Sequence, residues 1–145
     1  VLSLGSPLQI GVYSEGKCIE QHKSEDKTSD ALPVLISSLL KRFTCKGLFF
    51  AKGPGSFMAI KVTYLFLQTL HIVKDIPLYA CEGFTCNGNN PIKAVGKRYF
   101  VKCFDGSIDT IILDVSPDVP FVLPHKLPYE AFSLDTEPLY HLPAV

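Results

Sequence analysis

The chain has 145 residues, 47% of them hydrophobic and 19% charged, with fourteen basic and fourteen acidic side chains that cancel. These proportions suit one globular domain, or one domain with a small appendage, and the zero net charge gives no footing for direct binding to nucleic acid or to an anionic membrane. The five cysteines, at 18, 45, 81, 86 and 103, form no C-x-x-C pair and have no histidine at ligand spacing. That argues against a disulfide framework and a zinc site, and fits a reducing cytoplasm.

Residues 1–5, 8–13 and 17–22 alternate in strand fashion, with Gly5-Ser6-Pro7 and Ser14-Glu15-Gly16 as the turns between them. An antiparallel meander is expected. After the polar stretch 23–27, Ser29 or Asp30 is expected to cap a helix whose apolar stripe is Leu32, Leu35, Ile36, Leu39, Leu40 and Phe43. Pro33 is placed in its first turn, where the missing N–H does no harm.

The run Leu48-Phe49-Phe50-Ala51, the turn Gly53-Pro54-Gly55-Ser56 and the apolar segment 58–73 then read as strand, tight turn and helix. The glycines permit angles closed to other residues, Pro54 stiffens the turn, and Ser56 is expected to cap the helix. A helix N-terminus on a glycine turn is a place where phosphate can bind. This turn lacks both the Lys-Ser/Thr ending of a P-loop and the three-glycine spacing of a dinucleotide fingerprint, so it reads as a packing turn. It is not a G-x-S-x-G nucleophile elbow either.

On a helical wheel Ala59, Thr63, Phe66, Leu67, Leu70 and Val73 fall on the expected sheet-facing side, and Phe57, Lys61, Tyr64, Leu65, Gln68 and Ile72 on the other. Phe57, Lys61, Tyr64 and Gln68 recur at steps of four and three, the spacing of a helix-packing seam. A helix apolar on both sides is covered twice, and in a chain this short the second cover is expected to be a partner. Lys61, Gln68 and His71 interrupt the segment too often for it to span a bilayer, and no secretory leader pattern opens the sequence.

A strand at 76–80 follows, then a loop at 87–91 that marks the expected boundary between a lobe at 1–90 and a remainder at 91–145. In the remainder, 98–104 and 110–115 flank Asp105-Gly106 as a hairpin, and from Ser116 onward six prolines predict an extended arm wrapping the domain. The fold class is α/β, a mixed sheet covered by helices. The histidines at 22, 71, 125 and 141 are scattered and read as surface or interface residues, and Glu82 and Asp114 as solvated loop carboxylates.

Gly53-Pro54-Gly55-Ser56-Phe57-Met58-Ala59-Ile60-Lys61-Val62 resembles the G-P-G-S-F-T-G-L-R-I signature of the TsaB (YeaZ) family. Ile76-Pro77-Leu78 matches the strand after that signature, and Pro138-Leu139-Tyr140 resembles the family's P-x-Y-L-R ending. The resemblance implies one lobe of the actin/Hsp70-like, ribonuclease H-like ATPase fold with a truncated second lobe. It also implies a non-catalytic partner of TsaD in making threonylcarbamoyladenosine in tRNA, with TsaE in the same complex, tRNA met only through the complex, homodimers formed through much the same surface, and no cofactor. The partner-binding residues it points to are Phe57, Lys61, Tyr64, Leu65 and Gln68, beside the signature turn Gly53, Pro54, Gly55 and Ser56.

Where the family often reads D-T this chain has Gly5-Ser6, and where it often reads R-H-S-E this chain has Lys27-Thr28-Ser29-Asp30. These changes remove groups that hold a magnesium–phosphate, so they favour a scaffold over the alternative, an ATP-dependent phosphotransferase or hydrolase of the same superfold. A self-associating structural protein is the other alternative.

Overall fold

Short β-rich runs and two long apolar stripes divide the described residues of this chain into seven strands and two helices. They are β1 (Leu8–Ser14), β2 (Lys17–Ser24), α1 (Thr28–Arg42), β3 (Leu48–Ala51), α2 (Phe57–Lys74), β4 (Leu78–Cys81), β5 (Ile92–Lys93), β6 (Arg98–Lys102) and β7 (Ile108–Ile112). The computed structural model describes residues 1–117 and 119–139, so Tyr140, His141 and Pro143 of the sequence reading lie outside the described residues.

β1 and β2 form the expected antiparallel hairpin, while β3 and β4 run parallel with α2 as their crossover. The first residues join the two pairs. Leu2 exchanges both backbone hydrogen bonds with Gln9, at 2.8 and 3.0 Å, the Val1 nitrogen donates to the Phe49 carbonyl, and Ala51 donates to the Val1 carbonyl at 3.1 Å. Residues 1–5 were expected as a full strand, but only this short bridge forms, because from Ser3 onward the chain turns toward α2. The Ser3 hydroxyl meets that of Thr63 at 2.6 Å, and both residues are buried.

Both helices lie on one side of the joined ladders. Leu32, Ile36 and Leu39 of α1 pack on Leu8 and Ile10 of β1, Leu67 of α2 packs on Leu48, Phe50, Leu78 and Ala80, and Phe66 and Leu70 touch both groups. Phe49, between two helix-side residues, stacks instead on Tyr79 at 4.9 Å and meets Tyr129 and Phe132 edge-on. Alternation along β3 therefore divides its side chains between helix cover on one face and arm cover on the other.

α1 differs from expectation at its start. Lys27 is its N-cap and makes no side-chain cap, so Ser29 and Asp30 lie inside the first turn, where the Asp30 charge suits the helix dipole. Pro33 consequently falls two or three residues deeper than expected, in the second turn. The Ser29 carbonyl loses its i+4 donor there, and Ser29 is exposed, so the loss falls at the solvent surface.

β6 and β7 form the expected hairpin around Asp105, with β6 ending at Lys102 and β7 shifted from the expected 110–115 to Ile108–Ile112, and β5 pairs along the other edge of β6. Phe84, Ile92 and Phe100 build a separate cluster beneath it. From 119 to 139 the chain runs extended except for a 3₁₀ turn at Tyr129–Ala131, and this stretch is tied down at several points. Phe121 accepts from the Gln9 side chain, Pro124 from the Tyr13 hydroxyl and His125 from the Cys18 amide, and Ser133 bridges to Ala80.

Candidate partner interface

α2 starts where three backbone segments converge on the glycine turn. Gly53 has φ +125°, a conformation that side chains rarely permit, and a Cβ there would stand 2.8 Å from the Leu139 carbonyl oxygen. Gly55 is bounded by Leu4. Pro54 is wholly buried between them, and the Gly83 amide donates to the Gly53 carbonyl at 2.9 Å. Close backbone approach is what the glycines serve here, and the approaching group at each one is this chain's own.

Ser56 occupies the N-cap position, but its side chain makes no cap hydrogen bond, which corrects the expected role of its hydroxyl. Its contribution is through the backbone. The Ser56 amide donates to the Leu4 carbonyl, and the Ser56 carbonyl accepts from Ile60 at 3.0 Å. The helix ends at Asp75, whose φ of +54° lies in the left-handed region that aspartate tolerates.

The buried face of α2 is Ile60, Thr63 and Leu67, flanked by the half-buried Tyr64, Phe66 and Leu70. Relative to the wheel this is a rotation. Ile60 is core, Val73 is exposed, and Tyr64, expected in the outer seam, packs against the β3/β4 cluster with its ring centroid 6.3 Å from that of Phe50. Phe57, Lys61 and Leu65 are exposed as expected, and Gln68 is half-buried.

The outward face is strongly apolar. Phe57 is 39% exposed, Met58 64%, Leu65 54%, Ile72 69% and Val73 73%. Phe57, Lys61, Leu65 and Ile72 form its spine, with Met58 and Val73 alongside at its two ends. Met58 and Val73 were missing from the expected interface, and the signal that points to them is the lack of any wholly polar side to the helix. Covering a side chain of this size contributes about 1.5–3 kcal/mol, so even a few of them can anchor a partner.

The remaining polar candidates are engaged in local structure. Glu82 was expected as a solvated carboxylate. It is half-buried and ion-paired with Lys102, tying the end of β4 to β6. Asp114 stays exposed, 3.7 Å from Lys97. His22 lies beside Glu20, and the His71 ring meets the Ile76 carbonyl at 2.6 Å. Lys52, unremarked in the sequence, is buried and donates to the Asp135 carbonyl of the arm at 3.0 Å. Among the described residues no three His, Cys, Asp or Glu side chains gather where they could hold a metal ion, and no helix is long and apolar enough to cross a membrane.

No family model and no curated protein matches this chain. Solved structures do. YeaZ from Pseudomonas aeruginosa superposes with a TM-score of 0.64 at 15% identity, over 81% of this chain and 69% of that one. A protein described as similar to peptidase YeaZ from Pseudomonas aeruginosa gives 0.62 at 14% identity, over 82% of this chain and 68% of that one. With the strand ladders, the crossover helix and the glycine turn in place, the shared course of the backbone leads to one conclusion: this chain has the fold of YeaZ.

Proposed function

We propose that this chain is a TsaB (YeaZ)-type accessory subunit that binds a TsaD homologue and supports threonylcarbamoyladenosine synthesis in tRNA without carrying the chemistry itself. The observation that carries this reading is the exposed apolar face of α2, which begins at the signature turn and has Phe57, Leu65 and Ile72 along it. An apolar helix face of this extent is suited to a second helix. The YeaZ fold and the resemblance of residues 53–62 to the family signature support the choice of partner.

In this reading the ladders β2, β1, 1–4, β3 and β4 are one lobe of the actin/Hsp70-like fold, with the hairpin and arm as a reduced second lobe. TsaE joins through the complex, and tRNA is met only there. A catalytic role is disfavoured because the glycines of the second turn, where a phosphate would approach, are closed by Leu4 and Leu139. The same face suits a second copy of the chain when the partner is absent.

The experiment is co-elution with the TsaD homologue, alongside light scattering of the chain alone. We expect a complex with the wild type and none with Leu65→Glu. A complex that survives Leu65→Glu and Ile72→Glu together places the contact elsewhere and defeats this reading.

A further inference from the structure

α2 carries no carboxylate. Its charged side chains are Lys61 and Lys74, with His71 in the last turn, so the helix has only positive charge to offer. Lys74 sits at the C-terminal end, where a cation suits the negative pole of the helix dipole. Lys61 has no such local reason. It stands in the second turn, near the end where the dipole disfavours a cation. It is exposed, and among the described residues no carboxylate pairs with it.

The surroundings of Lys61 on the outward face are apolar. Leu65 follows it by one turn, Ile72 lies beyond, and Met58 precedes it, all exposed. Thr69 is exposed as well, but its hydroxyl donates to the Leu65 carbonyl at 2.7 Å and so is engaged within the helix. Of the residues of α2, Lys61 is thus the charge set inside the apolar strip. A helix that covers Leu65 and Ile72 also takes water from the Lys61 ammonium, and that loss is costly unless an anion replaces the water. A second copy of α2 has no anion to give.

We infer that the partner of this face is a helix with a carboxylate set in its own apolar stripe, opposite Lys61, and that Lys61 selects this helix over a second copy of the chain. The inference rests on the reading of α2 as the partner surface and adds what the covering helix must carry. Leu65, Ile72 and Met58 supply the area of the contact. The ammonium–carboxylate pair fixes its register and rejects a helix that lacks the anion.

The test uses the full chain and two synthetic amphipathic helical peptides that share a leucine face and differ only at its centre, one bearing Glu there and the other Gln. Titrations followed by fluorescence anisotropy of the labelled peptides give the affinities. The wild type should bind the Glu peptide about tenfold more tightly than the Gln peptide. Lys61→Met should bind the two alike, and the Gln peptide at least as tightly as the wild type does. The substituted side chain is exposed, so the fold should tolerate it. Equal binding of both peptides by the wild type, or a preference for Glu that persists in Lys61→Met, overturns the inference while leaving α2 a helix-docking face. Failure of both peptides to bind removes the docking face itself and this inference with it.

Discussion

A Cβ on Gly55 would stand 2.7 Å from the Leu4 carbonyl oxygen and 2.9 Å from the Leu4 Cβ, and that same oxygen accepts the Ser56 amide at 2.9 Å. The first turn of α2 is thus seated on the N-terminal segment by a backbone contact that leaves no room for a side chain. Gly55→Val must push Leu4 away and with it the hydrogen bond that holds the helix start. We expect a loss of about 1–3 kcal/mol of stability, measured by urea unfolding. An unchanged midpoint would mean that Leu4 yields freely.

Ser3 and Thr63 form a second tie between the same two elements. Thr63→Val keeps the shape but leaves the Ser3 hydroxyl buried without this partner, at a cost of about 1–3 kcal/mol. Adding Ser3→Ala removes the orphaned group, so the double variant should recover part of the loss. A double-mutant cycle on unfolding free energies reads the coupling, and strict additivity would show that the two hydroxyls act independently.

Neighbouring positions on α2 should behave oppositely. Leu67 is wholly buried, so Leu67→Ala is expected to cost about 2–5 kcal/mol. Leu65 is exposed, so Leu65→Glu should change monomer stability by no more than about 0.5 kcal/mol. Tyr64→Glu puts a charge at the edge of the Phe50 cluster and should lower the melting temperature of the monomer itself. Thermal unfolding of the three variants orders them, and a Leu65→Glu monomer that unfolds would mean this face is core.

Acid should weaken the tie between β2 and α1. Arg42 donates two hydrogen bonds to Glu20, at 2.8 and 3.0 Å, and these, with His22 beside them, hold the Glu20 carboxyl down from the ordinary 4.5 to about 2. A carboxylate depressed in the folded state contributes its stability in full above pH 4.5 and loses it as the pH falls toward 2. The pair is exposed, so salt should blunt the effect. Wild-type stability should fall more steeply over that window than that of Glu20→Gln, and parallel curves would show that the pair contributes nothing.

Much of the fold is legible in the residues because its signals are local. Aromatic-rich apolar runs such as 48–51 favour strand wherever they lie, the stripe from Leu32 to Phe43 has one sensible buried side, and Gly53-Pro54-Gly55 announces a tight turn from its own backbone preferences. Proline spacing after 116 likewise predicts little regular structure without reference to anything else. The rotation of α2 is a different matter. Its eighteen residues are apolar on nearly every side, so a wheel has no polar edge from which to set the phase, and it places Tyr64 in the outer seam. Contact of Leu67 and Tyr64 with the β3/β4 cluster sets the phase and turns Leu65, Ile72 and Val73 outward. Burial of Lys52 under Asp135, the seating of Gly55 on Leu4 and the crossing of Gln9 to Phe121 share that character. Each joins residues far apart in the chain, and such a pairing has no local pattern to betray it, because it exists only once the sheet, helix and arm have brought their backbones within hydrogen-bonding and van der Waals reach.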